Sequence, residues 1–256
     1  MIGLSAECQP SSVSAARRLL AEVLRVVVLT GAGVSEESGV PTFRGPGGLW
    51  RQFRPEDLAT PEAFARDPRL VWEWYNWRRE KIAAVEPNPA HRALAELETR
   101  IAAFTLVTQN VDDLHERAGS RAVLHLHGEI WRLRCTGCGR EEYDRRVPLD
   151  PLPPACACGS LLRPAVVWFG EALAPQTWDA AVGAVQACEL VLVVGTSALV
   201  YPAASLPAIA LQAGARLIEV NRDPTPLTPR ADVSLQGKAG DLLPKIVEGM
   251  NTDEHG

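Results

Sequence analysis

Short runs of β-branched and aliphatic residues recur along this chain, each closed by small or polar residues. Arg25-Val26-Val27-Val28-Leu29 leads into Thr30-Gly31, and Leu190 to Val194 leads into Gly195-Thr196-Ser197. Phe104 to Thr108 ends at Gln109-Asn110, and Arg216 to Val220 ends at Asn221. None of these runs alternates apolar with polar, so each reads as a strand buried on both faces. Helical spacing fills the intervals at residues 12 to 24, 71 to 86, 91 to 100, 202 to 213 and 241 to 248. Ser11, Ser12 and Ser14 offer caps to the first of these helices, and Pro87 and Pro89 stop the second. Residues 45 to 70, rich in Pro, Gly and Arg, predict loop with short helices. Leu124 to Leu126 reads as short and extended. Strands alternating with helices predict an α/β fold on a parallel sheet covered on both faces.

The polar residues at the strand ends are the next signal. In open parallel sheets, ligands bind at the carboxyl ends of strands. Gly31-Ala32-Gly33, Gln109-Asn110, Gly195-Thr196-Ser197 and Asn221 all fall there. One such cluster is an ordinary turn, whereas four together point to a nucleotide site. Gly31 and Gly33 permit a tight turn and close approach to a phosphate. Glu36 stands where a dinucleotide fingerprint requires its third glycine, so a plain dehydrogenase reading is weakened.

Four of the six cysteines form two close pairs, Cys135-x-x-Cys138 and Cys156-x-Cys158, 17 residues apart and flanked by Gly137, Gly139 and Gly159. Four thiolates so placed suit a tetrahedral, closed zinc site in a reducing compartment. Such a site staples a segment too small to build a core of its own. The single residue inside the second pair is short for a knuckle. Cys8 and Cys188 read as an exposed thiol and a small core residue.

Composition adds mainly exclusions. The 256 residues carry a formal net charge of −5, which gives no basic footprint for nucleic acid. No apolar run is long enough to span a bilayer, and no signal peptide is visible at the N-terminus. The sequence reading is therefore a cytoplasmic protein with neither nucleic acid nor membrane as a partner; the sequence does not set its oligomeric state, and a monomer is the default.

Gly31-Ala32-Gly33-x-Ser35-x-x-Ser38-Gly39-Val40-Pro41-x-Phe43-Arg44 resembles the signature of the sirtuins, NAD-dependent protein-lysine deacylases. The resemblance continues in order through Thr108-Gln109-Asn110-Val111-Asp112, His127-Gly128, the four cysteines, Val167-Trp168-Phe169-Gly170-Glu171, Gly195-Thr196-Ser197 and Val220-Asn221. It implies one catalytic domain over residues 1–256. A Rossmann-like NAD-binding part is expected over approximately 12–45, 101–130 and 166–250. A helical insertion is expected over approximately 46–100, and a zinc-binding module over approximately 131–165.

By the same resemblance, Gly31, Ala32, Gly33, Phe43, Arg44, Gln109, Asn110, Asp112, Gly195, Thr196, Ser197, Asn221 and Ala239 are expected to bind NAD. Asn110 and Asp112 correspond to the part that holds the nicotinamide amide. Phe43 corresponds to the shield of the reacting ribose carbon. His127, rather than His125, matches the general base, with Asn110 beside it. His91, His115 and His255 read as structural. Cys135, Cys138, Cys156 and Cys158 match the ligands of one structural zinc. Val166, Val167, Trp168 and Phe169, with Gly170 and Glu171, are expected to line the substrate channel.

The implied chemistry starts with attack of an acyl-lysine oxygen on the nicotinamide ribose carbon, which expels nicotinamide. His127 then takes a proton from a ribose hydroxyl, which attacks the acyl carbon, and one water resolves the intermediate to free lysine and O-acyl-ADP-ribose. A protein ADP-ribosyltransferase or NAD hydrolase would use the same pocket and the same first step.

On a helix over 71 to 86, Val71, Tyr75, Arg78, Ile82 and Val85 share one stripe. A guanidinium on an apolar face needs a partner. Tyr75 and Arg78 at i, i+3 can meet one ligand, and together they suit a carboxylate. The pair resembles that of sirtuins that remove succinyl, malonyl and glutaryl groups, which implies desuccinylation beside deacetylation. The dull alternative pairs Arg78 with Glu73 or Glu80 and leaves Tyr75 as core.

Overall fold

Strand β1 (Arg25–Thr30) sends Val26 and Val28 into one apolar core and Val27 and Leu29 into another. That is why its sequence does not alternate: both faces of the sheet are covered. The computed structural model describes residues 10–42, 48 and 54–251. Phe43 and Arg44, expected at the cofactor, lie outside the described residues, as do Cys8 and His255.

Helix α1 (Pro10–Ala21) precedes β1, and α2 (Ala32–Glu36) follows it. Then come α3 (Pro55–Leu58), α4 (Pro61–Arg66), α5 (Pro68–Ala83) and α6 (Pro89–Arg100). Strand β2 (Ala103–Thr108), helix α7 (Leu114–Arg117) and strand β3 (Val123–His125) follow. Next are β4 (Gly128–Cys135), β5 (Glu141–Tyr143) and β6 (Leu162–Val166). The chain closes with α8 (Pro175–Ala187), β7 (Leu190–Val194), α9 (Leu206–Gln212), β8 (Arg216–Asn221), β9 (Val233–Gln236) and α10 (Ala239–Glu248).

Among the described residues, six parallel strands lie in the order β3-β2-β1-β7-β8-β9. Helices α1, α6 and α10 cover one face through Leu20, Leu94 and Leu243, and α8 and α9 cover the other through Val185 and Leu206. This is the Rossmann-like layer that the apolar runs predict. Strand order reverses between β1 and β7, which creates a crevice at their carboxyl ends. No helix among the described residues is long and apolar enough to cross a membrane.

A second, antiparallel sheet, β5-β4-β6, carries the cysteines at its far end. Its apolar residues Ile130, Leu133 and Leu162 pack with Leu58, Phe64 and Trp72 from α3–α5 in one shared core. The segment, too small to build a core of its own, thus shares one with its neighbours. The helical insertion supplies that core.

Helix α5 begins three residues earlier than its apolar stripe indicates. Asp67 caps it by accepting the Leu70 amide at 2.9 Å, and Pro68 occupies the first turn.

Candidate functional site

The crevice between β1 and β7 opens into a cleft of about 520 Å³. Its floor is the set of strand ends singled out by sequence. Gly31, Ala32 and Gly33 follow β1, Gln109 and Asn110 follow β2, and Gly195, Thr196 and Ser197 follow β7. Asn221 ends β8, and Ala239 opens α10 at the same edge.

The glycines approach each other rather than leaving their amides open. Gly31 N–H donates to the Val194 carbonyl at 3.1 Å, and Gly33 N–H donates to the Gly195 carbonyl at 2.8 Å. Gly195 has φ +59°, a region that favours glycine. Side chains brace the same junction. Gln109 Nε2 donates to Thr196 Oγ1, and Asn221 Nδ2 donates to the Thr196 carbonyl, both at 3.0 Å. The loops are thus bound into a rigid rim.

His127 lines the cleft and His125 does not. His127 Nδ1 stands 2.9 Å from the Gln109 carbonyl, which can only accept, so Nδ1 carries the proton. The other ring nitrogen, Nε2, is left as the base. Burial pushes the pKa of His127 below its ordinary value, so the ring is neutral near pH 7. His125 instead meets Glu116 at 2.5 Å. Burial works against its charge, but that carboxylate raises its pKa on balance.

Asn110 is held by two bonds from Nδ2, to the Gly31 carbonyl and to Ser35 Oγ, each 3.1 Å. Asp112 does not line the cleft. It lies buried behind it, accepts the Leu114 amide at 3.1 Å and bonds Ser35. Burial raises the Asp112 pKa. Ser35 therefore joins the two residues expected at the nicotinamide, a role that its place in the Gly31 to Arg44 string signals only after the fold is known.

His91 and His115 belong to the same buried polar layer. His91 closes a capping box with Asn88 and sits 3.4 Å from Ser35 Oγ. His115 Nε2 lies 3.0 Å from Thr30 Oγ1, and the two rings are 4.9 Å apart. Both are buried, and neither lines the cleft.

At the other end of the cleft stand Tyr75 and Arg78, 2% and 8% exposed, with Val166, Val167, Trp168 and Phe169. Glu73, a partner proposed for Arg78 on sequence, pairs instead with Arg69 at 3.0 Å. The Arg78 guanidinium stacks 5.0 Å over Trp74 and 5.7 Å from the Tyr75 ring. Burial lowers the Arg78 pKa and raises that of Tyr75.

Sequence reasoning missed Arg222, which lines the cleft and donates to Glu36 Oε2 at 2.9 Å. It also missed the exposed Leu199 and Tyr201 on the rim. Arg222 directly follows Asn221 at the β8 strand end, and that position was the available signal.

The four cysteine sulfurs lie away from the cleft, within 4.8 Å of one another. Cys135 Sγ is 3.4 Å from Cys158 Sγ, and Cys138 Sγ is 3.8 Å from Cys156 Sγ. A tetrahedral zinc with sulfur bonds of about 2.3 Å needs sulfur–sulfur edges of about 3.8 Å, so the set fits that ion. Gly159, at φ +89°, turns the chain so that the short Cys156-x-Cys158 pair can present both thiols. Gly137 N–H and Cys138 N–H both lie 3.4 Å from Cys135 Sγ, as in a metal knuckle.

Comparison with known proteins places these features in context. The Sir2 family model matches residues 31–202. "NAD-dependent protein deacylase 2" of Pyrobaculum aerophilum is 58% identical, over 90% of this chain and 92% of that protein. "NAD-dependent protein deacylase 1" of Archaeoglobus fulgidus is 55% identical, over 90% and 94%. A solved Sir2 homologue in complex with NAD superposes with a TM-score of 0.88 at 53% identity, over 93% of this chain and 94% of that one.

Proposed function

The chain belongs to the Sir2 family, and we propose that it removes acyl groups from protein lysines at the expense of NAD. The products are nicotinamide, O-acyl-ADP-ribose and free lysine. The observation that carries this reading is His127, a neutral imidazole with its proton fixed on Nδ1, in one cleft with Asn110 and the glycine rim.

Bound NAD would supply a ribose carbon able to lose nicotinamide to an acyl oxygen. The Gly31–Gly33 and Gly195–Ser197 loops, with Gln109, Asn221 and Ala239, form the rim that would hold the dinucleotide. Asn110 is oriented by Gly31 and Ser35, and Asp112 sits behind it as support rather than contact. His127 Nε2 takes the proton of a ribose hydroxyl. Val166 to Phe169 form an apolar wall that keeps water from the first step. Cys135, Cys138, Cys156 and Cys158 would hold one zinc, closed by four sulfurs and remote from the reaction.

Tyr75 and Arg78 suit an acyl chain that ends in a carboxylate, so succinyl and malonyl lysine join acetyl lysine as proposed substrates. Both donors are buried and share the cleft.

The test is mass spectrometry of matched acetyl- and succinyl-lysine peptides with and without NAD. NAD-dependent loss of succinyl with O-succinyl-ADP-ribose appearing is the expected result. Loss of acetyl alone would discard the carboxylate clamp. Nicotinamide release with no change in either peptide would move the reading to NAD hydrolysis or ADP-ribosylation.

A further inference from the structure

The phenol of Tyr75 has one proton to donate, and the structure shows where it does not go. Trp168 Nε1 lies 2.9 Å from Tyr75 Oη. An indole N–H donates and never accepts. The Tyr75 oxygen is therefore the acceptor in this pair. Arg78, whose guanidinium lies 5.7 Å from the Tyr75 ring, is also a donor only. The Tyr75 proton has no acceptor in either neighbour, and Tyr75 lines the cleft.

Trp168 is itself held on several sides. Its ring lies under the Arg163 guanidinium at 3.4 Å and 5.4 Å from Phe64. Its backbone amide donates to Glu171 Oε2 at 2.8 Å. Arg163 grips both oxygens of Glu171, at 2.6 and 2.9 Å, and donates to the Val166 carbonyl at 2.9 Å. Trp168 and Arg163 are 3% and 7% exposed. A buried bidentate pair of this kind fixes geometry as well as charge. Glu171 accepts from Arg163 and from the Trp168 amide, and no hydrogen bond joins this carboxylate to Tyr75 Oη.

We propose that Trp168 is a positioning residue for acyl-group selection. Its indole N–H occupies the Tyr75 oxygen and so presents the Tyr75 O–H, beside Arg78, to an anionic acyl terminus. An indole without that contact would leave the phenol free to rotate, and Tyr75 would lose its direction as a donor. The proposal rests on the carboxylate-clamp reading of Tyr75 and Arg78.

The experiment measures kcat and KM on paired acetyl- and succinyl-lysine peptides for the full chain, Trp168→Phe, Tyr75→Phe and the double variant. Phenylalanine keeps an aromatic ring between Arg163 and Phe64 and removes the N–H donor along with part of the indole. Trp168→Phe is expected to lower the succinyl-to-acetyl ratio of kcat/KM about tenfold, mainly through the succinyl KM. The double variant is expected to show no lower ratio than Tyr75→Phe, because Trp168 acts through Tyr75. An unchanged ratio in Trp168→Phe, or effects that multiply in the double variant, overturns the proposal. A wild-type chain inactive on succinyl peptides overturns the clamp itself and the proposal with it.

A second readout needs no change at Trp168. In Tyr75→Phe with 15N-labelled indoles, one Trp Nε1–H resonance is expected to move upfield as its acceptor is lost. A spectrum in which no indole signal moves overturns the proposal.

Discussion

Gly33 donates its amide proton to the Gly195 carbonyl at 2.8 Å, so the loops after β1 and β7 are joined backbone to backbone at the point where strand order reverses. A Cβ on Gly33 would stand 2.8 Å from Gly195 O and 2.9 Å from Gly195 Cα. Those are backbone atoms, and they cannot swing aside as a side chain would. Gly33→Ala is expected to destabilise the chain by about 2 kcal/mol, within the range for overpacking. It should also raise the NAD KM more than tenfold, because the rim that meets the dinucleotide is displaced. Thermal unfolding and nicotinamide release read the two effects. An unchanged KM would show that the rim does not touch NAD.

Arg78 tests acyl selection directly. Loss of a charge-assisted contact to a buried carboxylate costs about 2–3 kcal/mol, or about 30- to 150-fold in kcat/KM. Arg78→Met is expected to show that loss on succinyl peptides and a much smaller one on acetyl peptides. Equal losses on both would mean that Arg78 supports α5 and does not meet the acyl group.

The pH profile follows from His127. Its pKa is lowered by burial, so the base form persists at and below pH 6.5. The kcat/KM for acetyl peptide is expected to fall in acid with a slope of one proton and with its midpoint below the ordinary histidine value. His127→Ala should lower acyl transfer by about 10²–10⁴-fold across the whole range. A midpoint above pH 6.5 would assign the base to a group with a raised pKa, such as His125.

Much of this site was legible because its signals are local. Buried apolar runs mark β1, β2, β7 and β8, and the polar residues that end them must converge once the strands are parallel. The rest depends on distant partners. Arg79, beside the noted Arg78, is fully buried and donates to the carbonyls of Ile130, Asp144 and Arg146. No helical periodicity announces an arginine whose acceptors are main-chain oxygens far along the sequence. Asp112, a motif residue after β2, bonds Ser35 and the Leu114 amide behind the cleft, contacts that its place in the motif does not announce. Strand β9 was missed because Val233-Ser234-Leu235-Gln236 is short and lies at the sheet edge, where one pairing side suffices.

Acid stability should depend on His91. Burial lowers its pKa to about 4, against 6.5 in an unfolded chain. A depressed folded value means that the unfolded state binds the proton more tightly. The related stability is complete above pH 6.5 and is lost as pH falls toward 4. Its full size is on the order of 3 kcal/mol. Urea unfolding between pH 7 and 4 is expected to show this loss, and His91→Gln should show a flatter profile from a lower starting stability. An equal slope in the variant would place the acid sensitivity elsewhere.

The metal site makes a prediction about the cleft, although no cysteine reaches it. The four thiols close the far end of β4 and β6, and the near end of the same sheet shares its core with α5, which carries Tyr75 and Arg78. One zinc per chain is expected, released on thiol modification. Removing it should loosen the β5-β4-β6 sheet first and then the packing of Trp72, Trp131 and Trp168 in the shared core. The six-stranded sheet, with its separate cores, should persist. Chelation is therefore expected to red-shift tryptophan emission, to lower activity on succinyl peptides, and to leave most of the far-ultraviolet circular dichroism in place. Zinc added back should restore both. If tryptophan emission stays native after the metal is gone, the helical insertion alone holds the segment, and the thiols contribute no structure that the cleft requires.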